Sequence, residues 1–328
     1  LLSSYPAALR CGTRLSSYYW FDYDWSPQYY QKLSTMIAGG QPPDLFIIEY
    51  GWLAEFLKNG VLLDLKPLID RDKYDISDFP KIATESYKWK GGFYGLPDNI
   101  TGWCIYYNKN MFDKAGVPYP TNKWDDPKWT TDDFLKACEK IQKRDDKGKV
   151  TQYAINIGWH WLTAGIWMSL FGGSYVDNPM EPTKCTLDEP GAIQGLQFWT
   201  DLRNKYEYAP KPEAITMGTG ELLQSERIAM EIGGGWGVKG WMKYKFPYDI
   251  GHFPKGPAKR DNYTFYYPLV IPKASKVIEG AWSLLKYYED VAIKEIIKQG
   301  NLQGTKISDI VNGQDIHPPL CQGIHPPS

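Results

Sequence analysis

The chain has 328 residues, with 37 basic and 38 acidic side chains and a formal net charge of -1. That length exceeds what one compact core usually serves, so two domains are expected. The balanced charge carries no footprint for nucleic acid, and no apolar run nears the ~20 residues that a membrane span needs. Lys140, Lys143, Arg144, Lys147 and Lys149 cluster, but Asp145 and Asp146 interrupt them, which reads as a solvated loop. The outlying number is aromatic content: 14 Trp and 24 Tyr, with aromatics at 15%. Leu, Ile and Val fill cores more simply, so a surplus of flat faces points to a surface that stacks on something.

In chain order, Tyr30, Leu33, Met36 and Ile37 fall at helical spacing, and Gly39-Gly40 stops that helix. The apolar run Leu45 to Ile48, bounded by turn residues, predicts a strand buried on both faces of a parallel sheet. Trp52, Leu53, Phe56 and Leu57 form a second helical stripe, ended by Asn59-Gly60. Helix, strand and helix joined by short links are α/β grammar. Gly91 to Gly95 predicts a tight turn between short strands, and Trp103 to Tyr107 a strand. Thr130, with Asp133 three residues on, predicts a capped helix with an apolar stripe of Phe134, Leu135, Cys138 and Ile141. Tyr153 to Ile157 reads as a strand. Pro190 opens a helix whose face carries Ile193, Leu196, Trp199 and Leu202. Arg227 to Ile232 predicts a strand that breaks at Gly233-Gly234-Gly235, and Val270-Ile271 a short strand. Ser275 is expected to cap a helix carrying Ile278, Ala281, Trp282, Leu285 and Tyr288. The repeated His-Pro-Pro at His317 and His325 predicts an extended tail.

Cys11, Cys104, Cys138, Cys185 and Cys321 follow no CxxC, zinc or haem spacing, and their odd count leaves a thiol unpaired. No nucleotide-binding Gly-rich loop with its lysine occurs, since Gly233-Gly234-Gly235 lacks one. Neither metal nor cofactor is expected. No leader is visible at Leu1, as expected of a mature or an incomplete sequence.

Several segments in order match one pattern. Tyr29-Tyr30-Gln31-Lys32-Leu33 leads to Gly39-Gly40-Gln41-Pro42-Pro43-Asp44. Phe93-Tyr94-Gly95-Leu96-Pro97 leads to Tyr106-Tyr107-Asn108-Lys109. Glu226-Arg227-Ile228-Ala229-Met230 leads to Gly235-Trp236, and Val270-Ile271-Pro272-Lys273 to Ala281-Trp282. This series, over roughly residues 25 to 305, resembles the sugar-binding family of extracellular solute-binding proteins of ABC importers, which includes maltose-binding protein.

The resemblance implies a two-lobed, periplasmic-binding-protein-like α/β fold, each lobe a mainly parallel sheet flanked by helices, with a hinge between them. By analogy, residues 1–107 and 265–303 form one lobe and residues 108–264 and 304–328 the other. The chain would cross near Tyr106 to Asn108, near Tyr263 to Tyr267 and near Gln303 to Thr305. It also implies a carbohydrate ligand in the cleft, permease subunits of an ABC importer as partners, no catalysis, a monomer, and a periplasmic or lipid-anchored location.

A sugar ring has an apolar C–H face and a rim of hydroxyls, so its receptor needs aromatic faces and carboxylate or amide groups. Trp236, after three glycines, matches the position where the family stacks a sugar. Trp159 and Trp161 follow the strand Tyr153 to Ile157, where the carboxyl ends of strands face a crevice, and an extended segment puts them on one face. His160 between them reads as structural. Glu49 and Tyr50 end the first strand, Glu49 as hydroxyl acceptor or helix cap, while Trp52 reads as helix packing. Asp98, Asn99 and Thr101 precede the first crossing, Asp98 as polar contact or turn residue. Tyr266 or Tyr267 sits at the second. Two further readings are open: a glycoside hydrolase using two of Glu49, Asp98 and Glu231, or the same fold holding a polyamine or other small solute.

Overall fold

The computed structural model describes residues 27–158, 160–292 and 294. In chain order the regular elements are α1 (Pro27–Ala38), β1 (Phe46–Ile47), α2 (Tyr50–Lys58), α3 (Lys66–Asp72), α4 (Lys81–Ser86), β2 (Lys88–Trp89), β3 (Gly92–Phe93) and β4 (Leu96–Asn108). Then come α5 (Lys109–Ala115), α6 (Thr131–Ile141), β5 (Lys143–Arg144), β6 (Val150–Asn156), α7 (Trp161–Leu170), α8 (Pro190–Asn204) and α9 (Thr219–Gln224). The series closes with β7 (Ile228–Gly234), α10 (Val238–Trp241), β8 (Tyr248–Gly251), β9 (Thr264–Val270) and α11 (Ile278–Tyr287). His317 and His325, and the third crossing near Gln303 to Thr305, lie outside the described residues.

Within these limits the chain forms two compact units. Unit 1 comprises residues 27–100 and 265–292, and unit 2 residues 101–264. The first change of unit falls after residue 100, not after residue 107, because residues 103–108 already pair with β7 and β8 of unit 2.

In unit 1, β1 pairs antiparallel with β9, Phe46 opposite Val270, and Ile48 donates its N–H to the Pro268 carbonyl at 3.0 Å. The parallel partner expected for Leu45 to Ile48 is thus replaced here by a strand running the opposite way, which enters from unit 2. Leu53, Phe56 and Leu57 of α2 are buried, as are Trp282 and Leu285 of α11. Ser275 does not cap α11. Its hydroxyl donates to Asp44 and accepts from the Val277 N–H, and Val277 holds the cap position. The β2–β3 hairpin turns through Lys90 and Gly91, both at positive φ.

Unit 2 is built around β4, which pairs antiparallel with β7 on one side and β8 on the other. β6 runs parallel to β7, and β5 closes the edge as an antiparallel partner of β6. The α/β fold is as expected, but of the strand pairs named here β6 with β7 is parallel and the others antiparallel, so these pairs are not the mainly parallel ones expected. β7 continues through Gly233 and Gly234 to a 3-10 turn at Gly235–Gly237, where the sequence predicts a break at Gly233.

The core of unit 2 joins Ile105 and Tyr107 of β4, Ala154 and Ile155 of β6, Met230 and Ile232 of β7, and Phe134, Cys138, Ile166 and Trp167 from the helices. α6 begins with the full capping box: Thr130 accepts from the Asp133 N–H, and Asp133 accepts from the Thr130 N–H. α7 and α8 approach until a Cβ on Gly195 would lie 2.4 Å from the Met168 Cα. On α8 the buried stripe is Ala192, Gly195 and Leu202, and Ile193 faces solvent. Small residues set this interface, which is why the apolar pattern finds Leu202 but names Ile193 and Leu196 where Ala192 and Gly195 are buried.

Candidate functional site

In unit 2 the candidate residues gather at the carboxyl ends of β6 and β7. β6 stops at Asn156, whose side-chain oxygen accepts from the Gly158 N–H. Gly158 then takes φ +65°, a conformation that suits glycine. His160 caps α7, its Nδ1 accepting from the Leu162 N–H at 3.3 Å, so it has the structural role expected of it. Trp161 is therefore the first residue of a helix, not part of an extended run, and the shared strand face proposed for Trp159 and Trp161 does not form. Trp159 itself lies outside the described residues.

Trp161 is 56% exposed. Its ring meets Tyr175 edge-on at 5.8 Å and Tyr263 edge-on at 6.4 Å. The Tyr175 hydroxyl donates to the Trp161 backbone carbonyl, which ties the corner down. Tyr263 in turn accepts, at its carbonyl, the N–H of Trp103 on β4 at 3.2 Å. Trp103 lies opposite Gly234 of β7, one step from the turn that carries Trp236. The Trp236 side chain lies outside the described residues. Thr101, at the start of this stretch, is buried, and its hydroxyl has no partner among the described residues.

Glu231 lies in the middle of β7, beside the end of β6. It lies opposite Tyr106 on β4 and Asn156 on β6. Only 9% of it is exposed, and burial pushes its carboxyl up to about 8, opposed by a hydrogen bond with Asn156. Its Oε2 has no partner among the described residues.

Unit 1 assembles a second set. The Tyr29 hydroxyl donates to the Ile47 carbonyl at 2.8 Å, and the Tyr30 hydroxyl accepts from the Glu49 N–H at 2.9 Å. These bonds pin α1 against the end of β1. Tyr30 stacks on Trp52, with ring centroids 4.5 Å apart and planes 14° off parallel. Trp52 thus packs on one face, as expected, while remaining 36% exposed. Glu49 holds the cap position of α2, yet its side chain makes no capping bond. Partial burial raises its carboxyl above the usual range.

Asp98 does not sit in a turn but within β4, 4% exposed, and accepts from the Tyr288 hydroxyl. Burial pushes it up to about 6, with that hydrogen bond acting the other way. Burial of Tyr267 on β9 raises its phenol well above the ordinary value, and the charges of Glu49, Tyr30 and Asp98 add to it. Glu49, Asp98 and three tyrosines therefore share one electrostatic neighbourhood. The side chains of Tyr50, Asn99 and Tyr266 lie outside the described residues.

The sequence profile of the bacterial extracellular solute-binding proteins matches residues 21–294. The chain belongs to that family. A maltotriose-binding protein of Pyrococcus abyssi is 25% identical over 315 residues, covering 92% of this chain and 63% of the relative. A binding protein of Brucella abortus is 36% identical over 303 residues, covering 87% of this chain and 69% of the relative. The solute-binding protein thus spans about two thirds of the length of these relatives. Among solved structures, a Listeria monocytogenes ABC substrate-binding protein in complex with cycloalternan superposes with TM-score 0.74 at 25% identity, over 90% of this chain and 75% of that one. A solute-binding protein of Thermotoga lettingae bound with α-D-tagatose gives 0.67 at 26% identity, over 88% and 73%.

Three parts of this solute-binding protein's candidate set escape sequence reasoning: Tyr175 and Tyr263 around Trp161, and the pairing of Glu231 with Asn156. Each depends on partners far apart in the chain. The available signal was weak: Tyr263 opens the second expected crossing, and Asn156 closes a predicted strand. No group of His, Cys, Asp or Glu among the described residues is placed to hold a metal ion. No described helix is long and apolar enough to cross a membrane.

Proposed function

We propose that this solute-binding protein is the carbohydrate receptor of an ABC import system. It captures a mono- or oligosaccharide outside the cytoplasm, as a periplasmic or lipid-anchored monomer, and passes it to membrane permease subunits. The observation that carries this reading is the aromatic corner of unit 2, where Trp161 offers an exposed indole face steadied edge-on by Tyr175 and Tyr263. A flat face of that kind suits the C–H side of a sugar ring, whose hydroxyls need carboxyl or amide partners. Glu49 and Asp98 in unit 1 and Thr101 in unit 2 are assigned to that polar role. Trp236, Trp159, Tyr50, Asn99 and Tyr266 complete the proposed set, and units 1 and 2 are read as the two lobes. The names of relatives that bind maltotriose and arabinooligosaccharides support the ligand class.

The reading includes no chemistry on the sugar. Calorimetric titration with maltotriose, an arabinooligosaccharide, mannobiose, tagatose and spermidine tests it, with saturable one-to-one binding expected for at least one sugar and none for spermidine. Tight spermidine binding without sugar binding would replace the carbohydrate by a polyamine. Labelled oligosaccharide should be recovered intact after prolonged incubation, and hydrolysis would assign Glu49, Asp98 or Glu231 to acid–base work.

A further inference from the structure

Glu231 is a carboxyl group in an unusual position. It is nine-tenths buried in the middle of a central strand, which runs on through Gly233 and Gly234 to the turn that carries Trp236. Its lateral neighbours are Tyr106, whose hydroxyl is spent on the Gly234 carbonyl at 2.9 Å, and Asn156, which engages it directly. Oε2 is left with no partner among the described residues. A buried polar atom without a partner costs about 1–3 kcal/mol, so one left unpaired in a folded chain calls for an explanation, such as a role in binding. The neighbouring segments lead directly from Asn156 through Gly158 and His160 to Trp161.

We propose that Glu231, oriented by Asn156, is a ligand-reading residue of unit 2 that hydrogen-bonds a sugar oxygen as a neutral carboxylic acid. This deepens the carbohydrate-receptor reading and rests on it. The neutral form follows from the surroundings. Burial is the leading cause of its raised protonation, and no charged group contributes. On β4, Cys104 and Tyr106 are themselves pushed above their usual ranges by burial and stay neutral. On β6, Tyr153 lies opposite Ile228, three positions back. On α9, Glu221 is exposed and pairs with Lys243, and the side chain of Lys239 on α10 is not described. Arg203 reaches the Gly158 carbonyl at 3.2 Å and spends a second donor on Pro210. A sugar seated against Glu231 excludes more water and brings no cation, so it favours the protonated acid further.

The linkage has one sign. Because the sugar prefers the protonated form, affinity is constant below neutral pH and falls as the empty site loses its proton. The probe is the sugar that binds most tightly in the panel of maltotriose, arabinooligosaccharide, mannobiose and tagatose, titrated calorimetrically against wild-type, Glu231→Gln and Glu231→Leu at pH 6 to 9. Wild-type affinity should drop about tenfold from pH 7 to 9. Glu231→Gln, which keeps a neutral donor and acceptor, should hold within about threefold at pH 7 and show no such drop. Glu231→Leu should bind about tenfold more weakly. If Glu231→Leu does not fold, the two remaining pH profiles decide. Parallel profiles for wild-type and Glu231→Gln, or an affinity that rises with pH, overturn the assignment while leaving the receptor reading intact. Absence of binding by every sugar in the panel overturns both.

Discussion

Trp161 keeps more than half of its surface in water although it begins a helix whose later residues, Ile166, Trp167 and Leu170, are fully enclosed. An indole held in that state contributes little to the fold, and in the proposed receptor it is the face that a sugar covers. Trp161→Ala should therefore leave stability within about 1 kcal/mol of wild type while weakening sugar binding by about 2 kcal/mol, read by denaturant titration and calorimetry side by side. Asp98 behaves in the opposite sense. Its carboxyl is pushed from 3.8 up to about 6, so the folded chain holds a proton that the unfolded chain releases. Stability then falls as pH rises from about 4 to 6, and the loss of about 2–3 kcal/mol is complete at neutral pH. Asp98→Asn can still accept from Tyr288, so it should raise Tm at pH 7 and flatten that pH dependence. None of this was legible in the residue type: the sequence offers Asp98 as a polar contact or a turn, and only the packing of β4 against the segment containing Tyr288 decides its environment. Glu49 shows the same limit, since its cap position was readable and its unused side chain was not.

At the scale of elements, local signals served well where they were self-contained. The Thr130 capping box and the Gly40 and Gly60 helix stops need only neighbours within a few residues, and each forms as its pattern predicts. Helix packing needed partners that the pattern does not name. α7 meets α8 through Gly173, Gly191 and Gly195, and on each of these a Cβ would fall within 2.7 Å of backbone atoms. Gly195→Ala gains about 1 kcal/mol of helix propensity, but the clash is with the Met168 backbone and cannot be relieved by a rotamer change. The expected net outcome is a loss of about 1–3 kcal/mol by chemical denaturation. Because α7 carries Trp161, a second effect on sugar affinity should accompany it, of the kind that Ile193→Ala on the exposed side of α8 does not produce. Strand pairing was the least readable feature: the apolar run Leu45 to Ile48 announces a buried strand but not the direction of its partner β9.

For the whole molecule, the order of the family motifs carried more information than any periodicity, because it runs through both compact units. A ligand that binds the folded chain alone must stabilise it by mass action, about 2.7 kcal/mol at one hundred times Kd. A melting curve taken with a rising series of the cognate sugar should move upward without a plateau at one equivalent, and a static curve would contradict the receptor reading. The contrast in accessibility between tryptophans has an optical consequence. Trp129, Trp167 and Trp282 are sealed inside, whereas Trp161 lies open. Iodide in solution should therefore extinguish the red-shifted part of the indole emission and spare the blue part. A sugar seated on Trp161 would shield it, so that the chain reports its own occupancy by fluorescence, without any attached dye.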